Sequence, residues 1–345
     1  MRVEINGREI GDGQPTYIVA EMSANHHQDF DTAVKLVRAA GQAGADAVKV
    51  QCYTPDTMTI KCDNKHFRIK GTPWDGQTLY ELYSKAYMPW EWILPLQVVA
   101  QDCGLTLFAT VYDRSSVDFL EGCGVPAYKV ASFELVDIAL IRYIVSKGKP
   151  VIMSTGMAGL AEVGEAVYAA RDVPTILLKC TSAYPSVPEE MNLRTIPDMR
   201  HRFRVSVGLS DHGSDERVPI VAVALGACLI EKHLILSRSE GGPDSSFSLE
   251  PDEFTEMVRA VRATERAIGL VTYRPTRHEL PSMVFRRSLF AVKDIKAGES
   301  FTDDNVRSIR PSGGLSPSCI EWVKERRAVI DIKAGTPLAY EHLEK

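Results

Sequence analysis

The chain has 345 residues, enough for one large domain and a smaller companion. With 45% hydrophobic and 25% charged residues it has the composition of a soluble enzyme, and a net charge of -5 gives no general electrostatic reason to bind nucleic acid. No apolar run approaches the ~20 residues that span a bilayer, the polar start MRVEINGREIGDG lacks a signal-peptide pattern, and the seven cysteines form no CxxC pair. These features predict a cytoplasmic protein with reduced thiols and no membrane association.

Residues 1–16 are polar and turn-rich, and predict an N-terminal hairpin. Eight short β-branched runs follow at 17–22, 46–51, 105–110, 126–131, 150–155, 174–180, 205–210 and 227–233. Between them lie segments such as DTAVKLVRAAGQAGA, with apolar residues at three-to-four spacing and Gly near the ends. Eight buried strands alternating with helices predict an α/β fold, a closed (β/α)8 TIM barrel. An open doubly wound sheet would carry a glycine-rich loop after its first strand, and AEMSANHH offers none.

The connection from 52 to 104 is too long for a simple strand-to-helix loop and concentrates aromatic residues. It reads either as a self-packed surface insertion or as a lid over the barrel mouth. The barrel domain is expected to span 1–270, followed by a proline-bearing linker at 271–285. Residues 286–345 then form a small β-rich module in which DIKAG occurs twice, at 294–298 and 331–335. So short a module has little core of its own.

In a TIM barrel the chemistry sits at the C-terminal strand ends. There the sequence supplies Glu21, Lys49 with Gln51, Thr110, Lys129 with Ser132 and Glu134, Ser154 with Thr155, Lys179 with Ser182, Ser210–Asp211–His212 and Glu231–Lys232–His233. Buried charges are costly unless paired or occupied by a ligand, so a full ring of them points to a ligand site. Lys49 and Lys129 suit a small polyanion flanked by hydroxyl donors. Each could instead be half of an internal ion pair with Glu21 or Glu134, or a Schiff-base nucleophile. His212 and His233 end neighbouring strands. They are either hydrogen-bonded structural residues or ligands of a labile divalent metal, Mn2+ or Mg2+ with Co2+ also accommodated, since no thiolate joins them.

The phrases AEMSANHHQ, DAVKVQCYTPD, YKVASFE, MSTGMA, LLKCTSAYP, VGLSDHG, EKHL and PDSSFSLEPDEF resemble the sialic acid synthase (N-acetylneuraminate synthase-like) family in sequence and in order. RRSLFAVKDIKAGESFTDDNVRSIRPSGGL resembles its C-terminal antifreeze-like, β-clip SAF domain. Within the family the insertion FRIKGTPWDGQTLYELYSKAYMPWEW and the phrases LLKCTSAYP and IRPSGGLSP are most similar to pseudaminic acid synthases, with N-acetylneuraminate and legionaminate synthases as alternatives. The resemblance implies condensation of phosphoenolpyruvate, an N-acylated sugar aldehyde and water to a nonulosonic acid and phosphate, with C–O cleavage. For the pseudaminic branch the sugar is 2,4-diacetamido-2,4,6-trideoxy-L-altrose.

By the same resemblance, Lys49, Thr110, Lys129, Ser132, Ser154, Ser182, Tyr184 and Ser210 hold phosphoenolpyruvate, and His212 and His233 carry the metal. Glu21, Gln51, Tyr184, Glu134 and Asp244 face the sugar or the reacting water, with Glu21, Glu134 and Lys129 the expected catalytic residues. Arg310 is expected to reach the partner's barrel in a domain-swapped homodimer. Two departures stand out: FATVYD replaces a Ser-Pro or Thr-rich turn while Thr110 keeps its hydroxyl, and His27 beside His26 reads as surface. A 6-deoxy sugar calls for apolar walls around Trp74, Tyr80 or Tyr83. Two rival functions are a Schiff-base pyruvate lyase on the same barrel and a non-catalytic sugar- or ice-binding protein.

Overall fold

The computed structural model describes every residue except Met1 and Pro73. The chain divides into two compact units, Met1–Gly269 and Leu270–Lys345, so that residues 271–285 group with the second. Among the described residues no helix is long and apolar enough to cross a membrane.

The first unit opens with an antiparallel hairpin of β1 (Arg2–Ile5) and β2 (Arg8–Gly11). Eight parallel strands then close into a barrel: β3 (Tyr17–Glu21), β4 (Ala47–Cys52), β5 (Thr106–Val111), β6 (Tyr128–Val130), β7 (Val151–Ser154), β8 (Thr175–Cys180), β9 (Ser206–Asp211) and β10 (Leu229–His233). Each strand pairs with the next in sequence, and β10 returns to β3 with Leu229 opposite Tyr17. This is the expected (β/α)8 architecture.

Alternation along each strand divides the side chains between two cores. Tyr17, Val19, Ala47, Phe108, Ile152, Ile176, Leu178 and Leu229 fill the barrel interior, and the hairpin adds Val3, Ile5 and Ile10 to that cluster. Their neighbours Ile18, Val48, Leu107, Leu177, Leu209 and Ile230 face the helices. Burying each large side chain contributes roughly 1.5–3 kcal/mol. Gly208 of β9 has no substitute, because a Cβ there would lie 2.4 Å from the Leu229 carbonyl oxygen.

The helices follow local signals. Phe30–Gln42 starts where the Asp29 carboxylate accepts from Thr32 N at 2.8 Å, and it buries Ala33, Leu36, Val37 and Ala40 at helical spacing. The long connection after β4 is only partly an insertion. Its last part, Ile93–Asp102, is the barrel helix preceding β5 and buries Ile93, Leu96 and Ala100. The extra segment holds the helix Leu79–Ala86 with a Thr78/Glu81 capping box.

In the second unit, residues 270–287 are exposed except for half-buried Met283, with one 3-10 stretch at Leu280–Phe285. Beyond them β11 (Ser288–Ala291) pairs with β12 (Val306–Ile309), and Leu289, Ala291, Ile295, Phe301, Val306, Val323, Ile332 and Leu338 form a core. The repeated DIKAG becomes a reciprocal clasp. Asp294 binds Lys333 at 2.7 Å and Ala334 N at 2.9 Å, while Asp331 binds Lys296 at 2.7 Å and Ala297 N at 2.9 Å. Ile295 and Ile332 bridge between the two copies.

Candidate active site

Above the apolar interior layers, the alternation carries a polar layer into a cavity of about 460 Å3 at the C-terminal strand ends. Glu21, Lys49, Thr110, Lys129, Ser154, Cys180, Ser210 and Glu231 line its inner part, joined by Gln51, Ser132, Glu134, Tyr184, His212, His233 and Asp244. Most of the residues expected from sequence therefore converge on one space.

The charges form a connected set. Lys49 Nζ lies 2.5 Å from Glu21 Oε2, 2.9 Å from Thr110 Oγ1 and 3.7 Å from Glu231 Oε1. Lys129 Nζ donates to Ser154 Oγ at 2.6 Å and lies 3.9 Å from the same Glu231 oxygen, which also accepts from Ser210 Oγ at 3.0 Å. Of the two internal ion pairs considered from sequence, Lys49–Glu21 forms. Lys129 instead faces Glu231, and Glu134 Oε2 is buried with no hydrogen-bond partner.

Burial dominates the protonation balance. It raises Glu21 in spite of Lys49. Burial also opposes charge on Lys49 and Glu231, but their opposite-charge neighbours win, so Lys49 is raised and Glu231 lowered. Lys129 is lowered by burial and by the Lys49 charge. Lys49 and Lys129 bring two amine donors to one cavity, flanked by the hydroxyls of Thr110, Ser154 and Ser210, an arrangement that suits an anionic ligand. Burial moves Glu134 from 4.5 up to about 7.

The hydroxyls converge around Gly156. Its N–H donates to Ser132 Oγ at 3.1 Å, and a Cβ there would fall 2.1 Å from Ser182 Oγ. Ser182 lies behind the residues that line the cavity, its Oγ 3.6 Å from Cys180 Sγ.

The His212 and His233 rings are 5.3 Å apart between centroids. His212 Nδ1 is 3.2 Å from the Thr181 carbonyl oxygen, whereas His233 Nδ1 is buried without a partner. Burial also holds His233 well below its usual pKa, so its imidazole is neutral and able to ligate. Burial opposes charge on His212, but Cys180 beside it raises its pKa, so a cation there would displace the proton it favours. The two adjacent rings fit a labile ion with otherwise oxygen ligands. Among the described residues no cluster of three or more His, Cys, Asp or Glu is placed to hold a metal. Asp211, between Ser210 and His212, is bound to Lys232 at 2.6 Å.

The outer wall comes largely from the insertion and neighbouring loops: Met58, Ile69, Trp74, Leu79, Leu82 and Tyr83, facing Tyr53 and Tyr112. Trp74 Nε1 donates to Pro243 O at 2.9 Å, and its ring lies 5.6 Å from that of Tyr184. Tyr80 is not in the wall and turns its hydroxyl to Asp56. On the floor side, Gln51 Nε2 donates to Glu21 Oε1 and Ser23 Oγ, and Ser23 donates to Asp244. His27 is exposed, as its sequence context suggests. Arg310 is exposed in the second unit.

Lys179 is likewise absent from the wall and binds Cys180 O at 2.9 Å. Glu231, placed by sequence in the strand-end ring without a specific role, lines the cavity, as do Ser23 and Cys180, which sequence reasoning did not single out. Glu231 and Cys180 share the inward face of their strands with Leu229 and Leu178, two residues earlier.

The NeuB family model matches residues 36–273, and the SAF domain model matches residues 286–344. The pseudaminic acid synthase of Campylobacter jejuni is 44% identical over 325 residues, covering 93% of this chain and 95% of that protein. The pseudaminic acid synthase of Helicobacter pylori is 41% identical over 336 residues, covering 96% and 99%. Among solved structures, the spore coat polysaccharide biosynthesis protein SpsE of Bacillus subtilis aligns with a TM-score of 0.67 at 32% identity, over 100% of this chain and 99% of that one.

Proposed function

The chain belongs to the NeuB family, and on that premise we propose that it is a pseudaminic acid synthase. It joins C3 of phosphoenolpyruvate to the aldehyde carbon of 2,4-diacetamido-2,4,6-trideoxy-L-altrose. Water adds at C2, and the C–O bond to phosphate breaks. The observation that carries this reading is the polar layer of two lysines and converging hydroxyls beneath an aromatic, apolar outer wall.

Lys49, Lys129, Thr110, Ser132, Ser154 and Ser210 hold the phosphoenolpyruvate and stabilise its charge, with Ser182 supporting Ser132 across Gly156. Glu21, Gln51, Tyr184 and Asp244 orient the sugar. Glu134 accepts a proton from the water that attacks C2, a role suited to an unpaired carboxylate whose pKa is near 7. His212 and His233 would hold a divalent ion, Mn2+ or Mg2+, which when bound supplies Lewis acidity towards the sugar carbonyl. Arg310 acts from the partner subunit of a homodimer, its planar fork suited to a carboxylate or acetamido oxygen.

The test is phosphate release from phosphoenolpyruvate with the trideoxy-altrose, the legionaminate precursor and N-acetylmannosamine, each with EDTA and with Mn2+ restored. Preference for the altrose and loss of turnover in EDTA are expected. Equal kcat/KM on all three sugars would retire the pseudaminic assignment, and full activity in EDTA would retire the metal.

A further inference from the structure

Alternation places Asp211 and Lys232 on the helix-facing side of the barrel, away from the cavity, because Gly208, Ser210, Leu229, Glu231 and His233 take the inward positions. The two residues are directly opposite in the β9–β10 register, and both side chains have no exposed surface. Their neighbours on that face, Val207, Leu209 and Ile230, are apolar. Such a pair is expensive to bury, and well-packed apolar residues often do as well or better for stability. Stability alone is therefore a poor account of it.

Its geometry suggests another. Lys232 Nζ binds Asp211 Oδ2 at 2.6 Å and also donates to the Gly213 carbonyl oxygen. Asp211 Oδ1 accepts from Gly213 N at 2.8 Å. Both neighbours of His212 are thus tied to each other and to Lys232, the residue preceding His233. Gly213 is confined as well, since a Cβ there would lie 2.8 Å from Met191 Cε and 3.2 Å from Asp211 Oδ1. The backbone outside the staple is also fixed: the His212 carbonyl accepts from Ser186 N at 3.0 Å, and that of His233 from Leu249 N at 2.9 Å.

We propose that Asp211 and Lys232 are positioning residues, a buried ionic staple that fixes the two strand ends so that His212 and His233 present their rings to one divalent cation. This rests on the metal reading above and assigns a task to charges that never reach the cavity. It requires no contact with substrate. Outer partners of this kind govern metal affinity through ligand orientation.

The experiment measures Mn2+ binding to metal-stripped full-length protein by electron paramagnetic resonance, with thermal melting alongside. Asp211→Leu combined with Lys232→Met replaces the pair by apolar residues without leaving a lone charge. Asp211→Asn serves as a second, near-isosteric variant. The double variant is expected to melt within about 5 °C of the parent while its Mn2+ affinity falls roughly 10–100-fold. Asp211→Asn should show a smaller loss of affinity in its folded fraction. Parental affinity in both folded variants would overturn the staple and leave the metal reading intact. Failure of the parent protein to bind Mn2+ would overturn both.

Discussion

Glu134 differs from Glu21 and Glu231 in forming no ion pair among the described residues, whereas Lys49 lies 2.5 Å from Glu21 and Lys129 3.9 Å from Glu231. Its pKa, pushed by burial to about 7, sets the sign of two effects. As a base it must be ionised, so kcat/KM, which reports the free enzyme, is expected to fall as pH drops through about 7. Glu134→Gln should cost 10²–10⁴-fold in kcat and remove that inflection. A variant with the parental pH profile would exclude Glu134 as the base. Stability runs the other way. The folded state holds this proton more tightly than the unfolded chain, so the favourable contribution is complete below 4.5 and lost as pH rises through 7. Glu134→Gln should therefore stabilise the free enzyme by up to roughly 3 kcal/mol at pH 8 and hardly at pH 4, as measured by denaturant unfolding. Residue identities at the strand ends were legible from sequence; the direction of each side chain was not. Strands of a parallel barrel are apolar on both faces, so period-two patterning is hidden. Lys179 and Lys232 therefore read like Lys49 and Lys129, although neither reaches the cavity.

Among the elements, the insertion after β4 shows how far aromatic content alone can be read. Its clustered aromatics predicted either self-packing or a cavity wall, and both occur: Trp90 bonds to Tyr53 O at 3.0 Å, while Trp74 and Tyr83 line the cavity. Its full extent was overread, because Ile93–Asp102 belongs to the barrel's regular helix alternation. Helix Leu79–Ala86 presents Leu79, Leu82, Tyr83 and Ala86 to the cavity at one-face spacing. Two fasteners hold this wall: Trp74 to Pro243 O, and the Gln28 amide to Ser84 O at 3.0 Å and Tyr87 O at 3.1 Å. Neither fastener could be read from sequence, since both join residues far apart in the chain. Trp74→Phe keeps an aromatic face but removes the indole donor. It should raise KM for the sugar about three- to tenfold, the worth of one hydrogen bond, while KM for phosphoenolpyruvate stays within about twofold. Equal increases in both KM values would mean that the outer wall does not discriminate between the substrates.

On the scale of the whole molecule, the eight-strand alternation was readable because every strand is short, β-branched and followed by a helical period. The repeated DIKAG was visible as a repeat, but its meaning required coordinates, because the reciprocal clasp pairs residues nearly forty positions apart. The proposed trans role of Arg310 makes a C2 dimer with two composite sites, each drawing on both chains. Lys129→Ala and Arg310→Ala should each be inactive as homodimers. After subunit exchange, a mixed dimer carries both defects in one site and neither in the other. Random reassortment makes half of the dimers mixed, each with one sound site, so about a quarter of parental activity is expected to return. The exchange itself is followed with affinity tags on one variant, and both variants must first melt like the parent. If purified mixed dimers remain inactive while parental dimers survive the same protocol, Arg310 does not serve the partner's barrel. Its contribution would then lie within its own chain, and the two sites would be independent.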